Sequence, residues 1–245
     1  MFVKISKLIV LLLYLQSKLI EMLNLLSNLK IAVPDKIYIK DPESSDLGKR
    51  IIEHSILLID DIGFDSFTFK KLGVKIGSNE SSIYRYFESK HKLLLYLTSW
   101  YWAWIEYQMV FATHNVPDSK AQLSKAIEVV TRTIKEDLTF THINEVVLNR
   151  IIINEYSKSY LTKEVDSENK EGYFVVYKRL IKRLSNIISN VNPEYKFPSS
   201  LASTIVEGAL HQHFLKNHFS SITDCDKHIS PTEFFKQLTI KAINK

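Results

Sequence analysis

Cysteine is almost absent: Cys225 is the only one in 245 residues, so no intrachain disulfide framework can staple the fold, and the chain suits a reducing compartment. Glycine and proline are scarce as well, six of each, and four of the glycines (Gly48, Gly63, Gly73, Gly77) fall between positions 48 and 77. The rest lacks the turn punctuation of a β protein, which points to an all-α fold. Metal-ligand spacing is missing too. His211 and His213 lie on different faces of a helix, and neither an H-x-x-x-H nor a paired-Cys pattern accompanies them or His218, so no metal is expected. Glycine-rich phosphate loops, nucleophile elbows and tight carboxylate pairs are likewise absent, so no cofactor, catalytic residue or enzyme activity is expected. The apolar run over 8–15 is interrupted by Lys18 and Glu21 well short of the roughly 20 residues that a spanning helix needs, and no A-x-A-like cleavage site follows it.

What is present is organised around residues 67–92, FTFKKLGVKIGSNESSIYRYFESKHK. Thr68 can cap a short helix whose Phe69, Leu72 and Val74 have one-face spacing. Lys75-Ile76-Gly77-Ser78 interrupts it, and Gly77 can take the positive φ of a sharp turn. Asn79 then caps a second helix over 80–87, anchored by Ile83 and Phe87 at i, i+4. Glu80, Ser81, Ser82, Tyr84, Arg85 and Tyr86 are left on its other faces. A short helix with an apolar inner edge and a polar, aromatic outer face, set against another helix by a glycine turn, is what major-groove entry requires of a helix-turn-helix. The net charge of +5 suits a polyanionic partner without identifying one.

Residues 1–40 read as an apolar extension followed by a basic arm over 31–40. Three readings of the first thirty residues stand side by side: an amphipathic helix docking on this protein or a partner, a membrane-surface or signal-like segment, and an extension ahead of a start at Met22. The arm reads either as a linker or as a contact to phosphates or the minor groove. Asp41-Pro42-Glu43 signals a helix start. That helix should run to Ile62 with Leu47, Ile51, Ser55, Leu58, Ile59 and Ile62 inward and Gly63 as an αL cap.

Beyond the central stretch, Ser89 can cap a long helix over 90–111 in which Leu93, Leu97, Trp100, Trp104, Tyr107 and Phe111 recur at helical spacing. Its rings either fill a core, or Trp100, Trp104, Tyr107 and Phe111 line a ligand cavity. Five more helices are predicted over 119–138, 142–161, 167–191, 199–219 and 232–243, with Pro193, Pro198 and Pro231 in or beside the gaps. Small Ala202, Ser203, Gly208 and Ala209 suit the close approach of a neighbouring helix, and 199–219 with 231–243 could supply a twofold four-helix interface. Lys178, Arg179, Lys182 and Arg183 form a basic stripe, read as a solvated face or as a second contact to DNA or an anionic ligand.

On Gly63, Phe67-Thr68, Leu72, Ile76-Gly77, Ser81-Ser82-Ile83-Tyr84, Tyr86-Phe87, Lys90 and Leu93-Leu94, in that order and spacing, the chain resembles the TetR/AcrR family of bacterial transcriptional regulators. The resemblance covers about 47–96. Two positions depart from it: Gly73 where alanine is usual, which should loosen that helix by about 1 kcal/mol, and Glu80 where a basic or neutral residue is usual. It implies that Ser81, Ser82 and Arg85, with Glu80, face base edges, while Thr68, Tyr84, Tyr86 and Lys90 hold the sugar-phosphate backbone. Side-chain chemistry agrees, since Arg can bond guanine bidentately and Glu can accept from cytosine.

The expected organisation is therefore an extension and arm over 1–40, a three-helix helix-turn-helix reader over 41–90, and a helical bundle over 91–245 for dimerisation and ligand binding. The implied function is a cytoplasmic, ligand-responsive repressor that binds a palindromic double-stranded DNA operator as a homodimer and answers to a small-molecule effector. The alternative is a helical protein-interaction or membrane-surface module that has lost DNA recognition.

Overall fold

The computed structural model describes residues 31–135 and 142–244. The apolar segment over 1–30, with its three readings, lies outside them; the helix expected over 119–138 ends early, at Thr131, where Arg132 turns extended. Every regular element among the described residues is helical: α1 Asp46–Ser66, α2 Phe69–Ile76, α3 Glu80–Tyr84, α4 Lys90–Thr113, α5 Ser119–Thr131, α6 Glu145–Glu155, α7 Val165–Glu171, α8 Val175–Val191, α9 Pro198–His218 and α10 Pro231–Ile243.

The helix start at Asp41 is corrected. The Asp41 carboxylate accepts from the Glu43 N–H at 3.0 Å, but closes only a 3₁₀ turn over Pro42–Ser44. Ser45 caps α1 instead, its hydroxyl accepting from the Gly48 N–H at 3.2 Å. The turn folds so tightly onto α1 that a Cβ on Gly48 would lie 2.1 Å from the Pro42 carbonyl oxygen. At the other end Gly63 has φ 76 and ψ 157, a glycine-only conformation rather than the expected αL cap, and one further turn leads to Phe67. The buried face of α1 is Ile51, Ile52, Ser55, Ile56 and Ile59, with Leu47, Leu58 and Ile62 at its half-buried margin.

α4 is the axis of the molecule. Every residue from Leu93 to Glu106 is buried, so the helix has no solvent face there and the one-sided spacing expected of it understates its burial. α5, α6 and α8 pack around it; α9 lies on α8, α5 and α6, and α10 covers α5 and α9. The helix expected over 167–191 is two helices, because Gly172 at φ 90 ends α7 before α8 begins. Of the small residues on α9, Ala202 and Ala209 are buried within the chain, and a Cβ on Gly208 would meet the Phe235 ring of α10 at 2.7 Å. The neighbouring helix whose close approach these small residues suit is thus, at Gly208, α10 of the same chain. His213 is spent as well: its Nε2–H donates to the Thr131 carbonyl at 2.9 Å, and burial pushes its pKa down. Among the described residues no group of three His, Cys, Asp or Glu is arranged to hold a metal ion. No described helix is long and apolar enough to cross a membrane.

The three-helix unit α1 to α3 rests on the bundle chiefly through α6 and the 3₁₀ turn that follows it. Arg150 grips Asp60 with two hydrogen bonds of 3.0 and 2.7 Å, Glu155 accepts the Phe64 N–H at 3.1 Å, and Lys158 reaches Asp65 at 2.7 Å. The Lys158 ammonium holds the Asp65 carboxyl below its ordinary value. Exposed pairs of this kind contribute little singly; their consequence is orientation, because they tie the end of α1 to a helix that also packs on α4.

Candidate nucleic-acid interface

Local chemistry starts α2 and α3, and turns the chain between them, where the sequence predicts. Thr68 caps α2 by accepting from the Lys71 N–H at 3.2 Å. Gly77 at φ 62 and ψ 39 stops it in the left-handed region, with the Ser78 N–H donating back to the Gly73 carbonyl at 2.9 Å. Gly73 admits that return: a Cβ there would stand 2.8 Å from the Ser78 carbonyl oxygen. The departure from alanine thus has a structural reason beyond a looser helix. Arg50 of α1 donates to the Ile76 carbonyl and so secures the same end from outside. One expectation fails here, since Val74 is 81 % exposed; the inner edge of α2 is Phe69, Leu72, Gly73 and Ile76.

α3 is shorter than the expected 80–87. Asn79 caps it by accepting from the Ser82 N–H at 2.9 Å. Ile83 and Phe87 are both fully buried, and Phe87 packs edge-on against Tyr96 of α4 with ring centroids 5.4 Å apart. Arg85 follows the last turn and is exposed, Glu80 is half-buried, and Tyr84 is 47 % exposed with its ring set edge-on to Phe69 at 5.0 Å. Ser81 and Ser82 each donate their hydroxyl proton to Asn79 Oδ1 at 2.7 Å, so both serve the cap, and only their lone pairs remain to meet a base edge.

Two expected backbone contacts are placed elsewhere. Tyr86 is 3 % exposed, and its hydroxyl shares a 2.7 Å hydrogen bond with Ser45, tying α3 to the start of α1. The Lys90 ammonium donates to the carbonyls of Phe64, Asp65 and Phe67 at 3.1, 3.0 and 3.2 Å and lies over the Phe64 ring at 4.9 Å. All three of its donors are thereby used on the carbonyl end of α1. Replacing Lys90 with Met, which keeps the stem and deletes the charge, should lower unfolding stability by about 1 to 3 kcal/mol. It should leave the slope of log affinity against log salt unchanged in a duplex titration; a slope shallower by about one unit would return Lys90 to the phosphate contacts.

The sequence reading overlooked the cations of α2. Lys70, Lys71 and Lys75 are all exposed, and Lys71 donates to the Ser66 carbonyl at 2.8 Å. Lys71 and Lys75, one turn apart on a helix with an apolar opposite edge, were the available signal. The ring residues of α4 are also resolved. Trp100 and Trp104 are 2 % and 1 % exposed and stack on one another with centroids 6.2 Å apart, and Tyr107 is half-buried, whereas Phe111 is 75 % exposed. They do not converge on one cavity: the first two pack against each other, and the last points to solvent.

Residues 51–97 match the family model described as "Bacterial regulatory proteins, tetR family". No curated protein matches the chain. Among solved structures, it is similar to AibR in complex with isovaleryl coenzyme A and operator DNA, at 13 % identity over 80 % of this chain and 97 % of that one, TM-score 0.53. It is similar to a TetR family transcriptional regulator, PfmR from Thermus thermophilus, at 14 % identity over 80 % and 94 %, TM-score 0.53. It is also similar to a protein described as superantigen PfiT, at 15 % identity over 82 % and 97 %, TM-score 0.53. At such identities the likeness establishes the fold alone.

Proposed function

We propose a ligand-responsive repressor that binds a palindromic operator as a homodimer, a reading supported by the match of residues 51–97 to the tetR family model and by an all-helical fold similar to that of such regulators. The carrying observation is the coincidence of the 51–97 match with a capped, buried-edge α3 that leaves Arg85 and Tyr84 outside. In this reading α3 enters the major groove. Arg85 bonds guanine O6 and N7, Glu80 accepts from a cytosine amine, and the serine oxygens accept from base donors. α2 crosses the backbone, where Thr68, Lys70, Lys71 and Lys75 meet phosphates, and the Tyr84 hydroxyl joins them.

Dimerisation falls to α9 and α10, the two helices that the sequence offers for a twofold interface. Phe234 and Leu238 of α10, at i, i+4, remain 42 % and 37 % exposed, an apolar pair suited to a twofold partner. Twofold symmetry would place two α3 helices in successive major grooves, about one helical turn apart. The ligand acts in the bundle, favouring an arrangement of α4 in which that spacing is lost. The protein works in the cytoplasm as a regulator rather than an enzyme.

Selection of the full chain against random duplexes at low salt should enrich a palindrome. Arg85→Ala should then relax the preference at one base pair of each half-site by about 1 to 3 kcal/mol while sparing the others. Failure to enrich any palindrome rejects the reading; an unchanged preference in the variant removes Arg85 from base contact.

A further inference from the structure

The basic stripe noted in the sequence is more than a solvated face. On α8, Arg179, Lys182, Arg183, Asn186 and Asn190 recur at i, i+3, i+4, i+7 and i+11 and form one wall of a cleft of about 500 Å³. The corner between α4 and α5, with Val110, His114 and Asn115, forms the other. Behind the basic wall lies Glu106 of α4, only 5 % exposed. Arg179 Nε donates to both its oxygens at 2.9 and 2.7 Å, and Arg183 Nε donates to one at 3.2 Å. One buried carboxylate thus fixes two guanidinium forks on the cleft wall and leaves two of the wall's three positive charges uncompensated. Positive charge held in a concavity focuses its field on an entering anion, and guanidinium forks match the oxygens of phosphates and carboxylates. The exposed amides of Asn186 and Asn190 add donors, while Val110 and Ile187 supply a small apolar surface.

The charge here is not placed for the operator. α4 runs 24 residues from Lys90 beside the reader to Thr113 at the cleft, about 35 Å at the rise of an α-helix. The cleft stands at the far end of that helix from α3. It spans α8 and the end of α4, so whatever fills it acts on the helix that leads to the reader.

We propose that this cleft binds a small molecule carrying two or more negative charges, as phosphate or carboxylate groups, and that such a molecule is the effector. The effector role rests on the regulator reading above, whereas the binding stands independently of it. Lys182, Arg183 and Arg179 take the charge, and the asparagines orient the ligand. Closing α8 against the α4–α5 corner favours one position of α4 over the other, the differential contact that any ligand-driven release requires.

The test uses the full chain, with inorganic pyrophosphate and citrate as separate calorimetric probes. At least one should bind saturably, and the stronger of the two identifies the group recognised. Lys182→Glu, an exposed position whose reversal disturbs no buried pair, should weaken that binding by about tenfold or more. Lys178→Glu makes the same charge change on α8 outside the cleft, where Lys178 donates to Asn169, and should retain the binding. Absence of saturable binding by both probes overturns the proposal, as does an equal loss in the two variants. With a selected duplex, a saturating probe should weaken DNA affinity by about tenfold. Unchanged affinity with the cleft filled overturns the effector assignment. Failure of the probe-free chain to select any duplex overturns the regulator reading instead, while the calorimetry still decides the site.

Discussion

Trp104→Ala lowers the free energy of unfolding by about 3 to 5 kcal/mol, the loss expected when a large buried ring leaves a cavity that its neighbours fill only in part. Trp104 is 1 % exposed; it stacks on Trp100 at 6.2 Å and meets Tyr101 at 6.1 Å, and the Tyr101 hydroxyl is itself anchored by donating to Asn149 at 2.8 Å. The truncation therefore loosens the axis on which α5, α6 and α8 pack. Denaturant unfolding followed by tryptophan fluorescence and by circular dichroism should show one earlier transition in both signals. Stability close to that of the unaltered chain, together with weakened binding of a small molecule, would instead make the ring a cavity wall.

Phe87→Ala should cost a similar amount, about 3 to 5 kcal/mol, with a different functional signature. Phe87 is fully buried and set edge-on to Tyr96, so it seats the end of the α3 segment on α4. Without it, α3 loses one of the two anchors that hold its outer face in register, the other being Ile83. Binding to all duplexes should fall together, in contrast to Arg85→Ala, which changes preference at one base pair. The two variants compared over a panel of singly substituted operators separate loss of a scaffold from loss of a reading group. A Phe87→Ala chain that kept full affinity and altered only its base preference would show that Phe87 itself faces the groove.

The three-helix unit α1 to α3 was more legible than the bundle because its signals are short-range. Thr68 with the Lys71 N–H, Asn79 with the Ser82 N–H and Ser89 with the Lys92 N–H are all interactions over three residues, and side-chain chemistry at one position is enough to anticipate each. Gly77 is similar, since its positive φ is a property of a single residue. The aromatic helix was harder. Its spacing suggested one inward face, but a helix surrounded by others is buried on every side, and periodicity cannot report neighbours that arrive from elsewhere in the chain. Asp41-Pro42-Glu43 misled for a related reason: it carries a sound start signal, yet Ser45 carries another, and the fold uses the first for a single turn.

By itself, then, the sequence determined that the described chain is helical and where α2 and α3 begin and turn, since each depends on groups a few residues apart. Only the tertiary structure decided what the longer side chains do. Lys90 meets carbonyls more than twenty residues earlier, Tyr86 meets Ser45, Arg179 and Arg183 converge on Glu106, and Gly208 yields to Phe235. A lysine or arginine carries donors that suit phosphate, carbonyl and carboxylate alike. Which one it takes is set by whatever acceptor the fold brings within about 3 Å.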